Sequence, residues 1–314
     1  MSLAFGRTSD NEAVLQLRAP GEPTLLVRHV PGAGPPVLYV HGATFPSALS
    51  VAYRFNGRSW MDDLGACGFD VWAFDFAGFG GSDRPPTLSG DRNGVPTGRA
   101  IDAAAQIARV VQRIMASADH SRVSLVAHSW GSMPAGLFAG RHPDLMDKLC
   151  LFGPLAQRDT PGLPAPESVG AWRLVGVAEQ LARFVEDVPP GHAPVLIEPE
   201  LETWGPAYLA SDPEAERRTP PAVKIPTGPV ADILAAWSGK LAWRPEEALC
   251  PVLIVRGEWD SVSTNADANW LLSRISSPVR QDTRIPNGTH LLHLEQNREA
   301  LFAAVGAFLR RGVG

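Results

Sequence analysis

The sequence predicts an α/β fold: a mostly parallel sheet of eight strands, helices on both of its faces, and a helical segment inserted near its middle. Three observations predict it. Short apolar, β-branched runs alternate with segments of helical period over both ends of the chain. The alternation stops between about Pro154 and Arg244, where helical patterns and prolines follow one another. The length of 314 residues, 45% of them hydrophobic and 19% charged, suits one α/β domain carrying an insertion.

The elements follow in order. "AVLQLRAP" and "PTLLVRHV" read as an opening pair of strands. "PPVLYVHG" and "FDVWAFDF" are apolar strands ending near His41 and Asp75. "RAIDAAAQIARVVQRIMASAD" places Ile101, Ala104, Ile107, Ala108, Val111, Ile114 and Met115 on one helical stripe. The strand "RVSLVAH", the helix "SMPAGLFAGRHPD" and the strand "DKLCLFGP" come next. Beyond the insertion lie the strand "CPVLIVRG", the helix "TNADANWLLSRI", the strand "VRQDTRIP" and a closing helix "NREALFAAVGAFLRR". The expected division is a core of residues 1–153 and 245–314 with a helical cap of residues 154–244. The cap pieces "SVGAWRLVGVAEQLARFVED" and "PVADILAAWSGKLAW" read as helices with no strands between them. Trp172, Trp204, Trp237 and Trp243 argue against a disordered linker, because disordered segments are poor in aromatics.

Composition excludes several classes of partner. A net charge of −5 gives no electrostatic case for nucleic acid or an anionic membrane. No apolar run approaches the roughly 18 residues needed to span a bilayer. The opening residues lack a basic stretch followed by an apolar one, so no secretory leader is expected. Cys67, Cys150 and Cys250 are few, odd in number and far apart. They read as free thiols in a reducing cytoplasm rather than as disulfides or metal ligands. The expected partner is a small-molecule substrate, and the expected assembly a monomer or homodimer.

Parallel sheets bind ligands at the carboxyl ends of their strands, which directs attention to the residues that follow each strand. "AHSWG" follows one of them and resembles the nucleophile elbow G-x-S-x-G, with Ala127 in place of the first glycine. Such an elbow is a strained turn from strand to helix. It lifts the oxygen of Ser129 above the sheet and needs small neighbours such as Ala127 and Gly131. The alternative is a serine that merely caps the helix.

A serine nucleophile needs an acid and a base arriving later, in that order. Asp260 follows "PVLIVRG" in "EWDSV", and His290 follows "VRQDTRIP" in "NGTHLLHLE". No acid follows "DKLCLFGP". Glu258 and His293 are the nearest substitutes for acid and base. Asp75 and Asp83 read as organisers of the loop "DFAGFGGSDRP", and His142 as a helix-end residue. His128 reads as structural, and His41 as a brace for the loop "HGATFP". The backbone N–H groups of Ala43 and Trp130 are the expected oxyanion donors.

Taken together, "VLYVHG", "DVWAFDFAGFGGSDRP", "SLVAHSWG", "PVLIVRGEWD" and "NGTH" make the chain resemble a capped α/β-hydrolase-fold enzyme over nearly its whole length outside the cap. Haloalkane dehalogenases and epoxide hydrolases have a similar elbow, but with Asp as nucleophile. Ser129 therefore implies an acyl-enzyme rather than an alkyl-enzyme ester. Proline iminopeptidases share "HSWGS" but carry H-G-G-P-G where this chain has "HGATF".

The resemblance implies a serine hydrolase of carboxylic esters or related acyl bonds, with Ser129, Asp260 and His290 as triad and no metal or organic cofactor. C–C bond hydrolysis of a vinylogous diketone is the alternative reaction, and a triad-retaining ligand receptor the alternative from another class. Phe45, Trp172 and Trp237 are the expected substrate contacts. Tyr53, Arg54 and Arg58, in the long loop after Gly42, are placed near the mouth of the site. There the arginines face either a substrate carboxylate or solvent.

Overall fold

A computed structural model describes residues 11–117 and 120–311. Residues 1–10, where a leader was sought, and residues 118–119, at the end of the long predicted helix, lie outside the described residues. The elements in chain order are β1 (Ala13–Leu17), β2 (Leu25–Val30), β3 (Pro36–Val40), α1 (Trp60–Ala66), β4 (Asp70–Phe74), α2 (Ala100–Met115), β5 (Val123–His128), α3 (Ser132–Arg141) and β6 (Met146–Phe152). Then come β7 (Trp172–Val175), α4 (Val177–Val185), α5 (Trp204–Ala210), β8 (Val223–Pro226) and α6 (Gly228–Trp237). The chain closes with β9 (Val252–Gly257), α7 (Asn265–Arg274), β10 (Arg280–Ile285) and α8 (Arg298–Arg310).

Eight strands form one sheet in the order β1-β2-β4-β3-β5-β6-β9-β10. β2 runs antiparallel to β1 and β4, and every other neighbouring pair is parallel. All eight lie where the sequence predicts strands. β3 shows why its run is apolar throughout: both faces are covered, so its alternate residues enter two different cores. Leu38 and Val40 pack with α2, α3 and α7, while Val37 and Tyr39 pack with α1 and α8. Val37, Leu38 and Val40 each contribute about 1.5–3 kcal/mol by leaving water.

The helices begin where local chemistry lets them. Ser59 and Asp62 form a capping box at the start of α1, and Thr264 and Asp267 form another at α7. In α2 the buried stripe is Ala100, Ala103, Ala104, Ile107, Val110, Val111 and Ile114. Ile101, which the periodicity placed on that stripe, is instead exposed. No helix among the described residues is long and apolar enough to cross a membrane.

The segment between β6 and β9 departs from expectation. It contains a two-stranded antiparallel sheet in which Trp172 opposes Pro226 and Val175 opposes Val223. Trp172 is therefore a strand residue, and the helix predicted across it begins only at Val177. The segment is fastened to the main sheet at several points. Trp204 Nε1 donates to the Leu49 carbonyl (3.0 Å) in the loop after β3. Leu196 bridges Glu295 just beyond β10. α6 packs against α2 and against the turn that follows β5.

Candidate active site

β5 is an apolar strand that ends at His128, and a 3-10 turn of Ser129–Gly131 leads directly into α3. Ser129 has φ 55°, in the left-handed region that non-glycine residues avoid. Holding it there costs on the order of 1–3 kcal/mol. The turn needs a glycine two residues later. A β-carbon at Gly131 would sit 2.5 Å from the His41 carbonyl oxygen and 3.0 Å from that of Val40, at the end of β3. Close packing of β3 on this turn thus lifts Ser129 above the strand ends.

Two later loops meet it there. His290 follows β10, and its Nε2 lies 2.7 Å from Ser129 Oγ. Its Nδ1 lies 2.9 Å from Asp260 Oδ2, in the loop after β9. The other carboxylate oxygen, Oδ1, accepts the N–H groups of Val262 and Ser263, both at 2.9 Å. Burial alone would raise the Asp260 pKa. The hydrogen bond to His290, the attraction its ring exerts when protonated, and those two N–H donors outweigh it and hold the carboxyl below its usual range. Asp260 is 4% exposed and His290 5%. The pair is an ionised acid hydrogen-bonded to an imidazole whose other nitrogen faces a hydroxyl.

The remaining polar residues fall into supporting places. His41 Nε2 accepts the Phe76 N–H (3.0 Å), which leaves Nδ1 to donate to the Gly42 carbonyl (2.7 Å). It braces the loop from both sides. His128 Nε2 donates to the His290 carbonyl (3.1 Å). Burial, together with the neighbouring His293 and His290, pushes its pKa well down and keeps the ring neutral. Glu258 pairs with Arg284 (3.0 Å) and caps the Asn287 N–H (3.2 Å), away from the histidine. His293 sits in a 3-10 turn, not on α8, and among the described residues neither of its ring nitrogens has a hydrogen-bond partner. Asp75 gathers Ser47 and Gly81 N–H groups, and Asp83 the Thr24 N–H. His142 ends α3.

A cavity of about 420 Å³ opens onto Ser129 and His290. Gly42, Ala43 and Phe45 of the loop after β3 line it, with Leu155, Val262 and Leu291. The inserted segment supplies Phe184, Val230, Ile233 and Trp237. It also supplies two ion pairs on the wall: Arg173 with Glu179 and Arg183 with Glu186, each at 2.8 Å. Nothing in the sequence marked these four residues, since charges on an amphipathic helix ordinarily face solvent.

Three expectations about this region are corrected. Trp172 does not line the cavity. Its indole N–H donates to the Gly90 carbonyl (3.1 Å), and Lys224 Nζ lies 4.1 Å above its ring. Arg54 is held by Glu12 and Asp62, each at 3.0 Å, and Arg58 pairs with Asp63. Neither faces the cavity; the carboxylates that take them up are on this chain. Tyr53 bonds Thr203 Oγ1 (2.7 Å) instead of reaching the site. Trp130, by contrast, sits beside Ser129 as expected, and its side chain is buried and bonded to Asp232 (3.0 Å).

Residues 35–296 match the alpha/beta hydrolase fold family, and the chain belongs to that family. It is a hydrolytic enzyme. Among characterised relatives, epoxide hydrolase 3 of Xenopus tropicalis is 25% identical over 288 residues, covering 84% of this chain and 69% of the relative. Similar solved structures include a serine hydrolase involved in carbazole degradation (TM-score 0.64, 19% identity, 95% of this chain and 98% of that one). Another is the 2-hydroxy-6-oxo-6-phenylhexa-2,4-dienoate hydrolase of a Rhodococcus strain (0.63, 18%, 96% and 100%). A thermophilic esterase from Thermogutta terrifontis matches at 0.57, with 21% identity over 95% and 98%.

Proposed function

We propose that the protein is a serine hydrolase that cleaves a carboxylic ester of a small, neutral, largely apolar molecule through an acyl-enzyme. The carrying observation is the continuous chain of hydrogen bonds from Ser129 Oγ through His290 to Asp260. In this reading His290 Nε2 takes the hydroxyl proton as Ser129 Oγ attacks the acyl carbon. Asp260 fixes the tautomer that leaves Nε2 bare and stabilises the imidazolium that forms. The N–H groups of Ala43 and Trp130 receive the oxyanion, a role worth about 10²–10³ in rate per donor. His290 then protonates the leaving alkoxide. Water deacylates Ser129 by the same route in reverse, with His290 as base.

The cavity supports the substrate class. Its size falls in the range of small-molecule pockets, roughly 300–1,000 Å³. Its lining is mostly apolar, and the charges on its wall are already paired with each other. Each arginine already faces a carboxylate on the same wall, which reduces the charge left over for an ionic substrate. Residues 154–244 serve as the lid that closes this cavity and selects the acyl group.

The test combines turnover and labelling. p-Nitrophenyl esters of graded acyl length should be hydrolysed, with a preference for medium chains over long ones. A sulfonyl fluoride or organophosphonate should stop turnover and add its mass to the peptide containing Ser129. Inhibition that leaves that peptide unmodified would overturn the acyl-enzyme.

A further inference from the structure

Helix α6 faces two ways. Val230, Ile233 and Trp237 recur at helical spacing and line the cavity. Asp232 lies on the other side of the helix and is 3% exposed. Its carboxylate collects three donors from the hydrolase core. Arg99 Nε lies 2.5 Å from Oδ1, and the Ala100 N–H and Trp130 Nε1 lie 2.6 and 3.0 Å from Oδ2. The first two open α2. The third belongs to the residue that directly follows Ser129.

The chemistry of this junction is specific. A guanidinium, a backbone amide and an indole N–H all donate and none accepts. Only a carboxylate satisfies three such donors. A carboxamide of the same shape would turn its own N–H groups toward at least one of them. The carboxylate is also costly to bury, which argues that the contact is more than filler. Trp130 itself is 1% exposed and is not among the cavity-lining residues, so its ring meets Asp232 and not the substrate.

We propose that Asp232 is a positioning residue of the hydrolytic site: it locks lid helix α6 to Trp130, so that the cavity wall and the oxyanion donor beside Ser129 keep one relative geometry. The inference rests on the reading of Ser129 as nucleophile and of the Trp130 N–H as oxyanion donor. A lid built this way is registered against the elbow by a buried three-donor junction. Displacing Trp130 shifts the oxyanion donor, which should affect the transition state and leave ground-state binding nearly alone.

The experiment is a double-mutant cycle on the full chain with p-nitrophenyl acetate and hexanoate. Trp130→Phe keeps the backbone donor and a ring but removes the contact; Asp232→Asn disturbs the junction from the other side by turning an amide N–H toward at least one of its three donors. Each is expected to lower kcat about 10- to 100-fold, by the same factor for both esters, with KM within about twofold. That is less than the loss of a whole donor. A trifluoromethyl ketone should bind more weakly in proportion to kcat/KM. The double variant should be no worse than the poorer single, because both act through one junction. Full activity in folded variants, or losses that multiply, would overturn the proposal. If Asp232→Asn does not fold, Trp130→Phe decides, since it leaves Arg99 and Ala100 on the carboxylate. Inactive Ser129→Ala beside fully active Trp130→Phe would sink only the positioning role. An active Ser129→Ala would sink the underlying reading as well.

Discussion

Gly153 lies directly against His290. A β-carbon at Gly153 would sit 2.9 Å from His290 Nδ1 and 3.0 Å from Asp260 Oδ2, the two atoms that share a hydrogen bond. The residue directly follows β6 with φ 54°, so alanine would also meet left-handed strain of about 1–2 kcal/mol. Gly153→Ala should therefore lower kcat by about tenfold or more and lower Tm by a few degrees. Steady-state kinetics beside thermal unfolding checks both. A stable variant with parental kcat would show that the contact does not constrain the histidine.

The proposed triad should behave as one unit. Ser129→Ala, His290→Ala and Asp260→Asn should each reduce kcat by roughly 10³ or more, and the Ser129/His290 double variant should be no worse than its poorer single. The case of Asp260 is particular: both its oxygens face donors, His290 Nδ1 on one side and Val262 and Ser263 N–H on the other. Asparagine must turn an amide toward one of these, which favours the wrong imidazole tautomer. Retained activity in Asp260→Asn would remove the carboxylate from the mechanism.

How much of this was legible in the sequence depended on range. β5, the elbow and α3 were plain because an apolar run, a serine and small residues are consecutive. Asp260 and His290 were legible because each follows a strand, and strand ends converge in a parallel sheet. The strands β7 and β8 were not. "WRLV" is four residues inside a helical pattern, and what makes it a strand is pairing with residues 223–226. α1 escaped although Ser59 and Asp62 spell its capping box, because it has only seven residues. Arg54 was placed near the site because its partner Glu12 is 42 residues away in sequence. Asp232 gave no signal, since a single acid in an apolar helix looks like its solvent side. Its partners Arg99, Ala100 and Trp130 lie over 100 residues upstream.

The two tryptophans expected to touch substrate now separate. Trp237 lines the cavity and Trp172 does not. Trp237→Ala should change kcat/KM unequally for acetyl, hexanoyl and benzoyl esters, with the largest loss for the acyl group that fills the space. Trp172→Ala should remove its packing and its contact with Lys224, lowering Tm while scaling all three esters alike. Measuring three kcat/KM values on each variant is sufficient. An equal loss for every ester in Trp237→Ala would end the claim that the lid selects the acyl group.

Buried histidines held neutral make the fold sensitive to acid, and His293 should be one of them. Its ring is 3% exposed, stacked near Phe45 at 6.0 Å, edge-on to Phe152 at 5.4 Å and to His128 at 4.7 Å. Burial, with the charge of nearby His290, lowers its pKa from 6.5 to about 3. The folded protein keeps this imidazole neutral across a range where the unfolded chain protonates it. The unfolded state therefore binds more protons between about pH 6.5 and 3, and stability falls as pH falls through that window. The slope from one such group is about 1.4 kcal/mol per pH unit. His293→Leu removes the titration while keeping the site apolar. Between pH 7 and pH 5 the parent should lose about 2 kcal/mol more unfolding free energy than this variant. Urea titrations of both proteins at the two pH values measure the difference directly. Because each protein is compared with itself, any cavity left by leucine cancels. Equal losses in parent and variant would mean that His293 is protonated in the folded state, and that its two ring nitrogens find partners there.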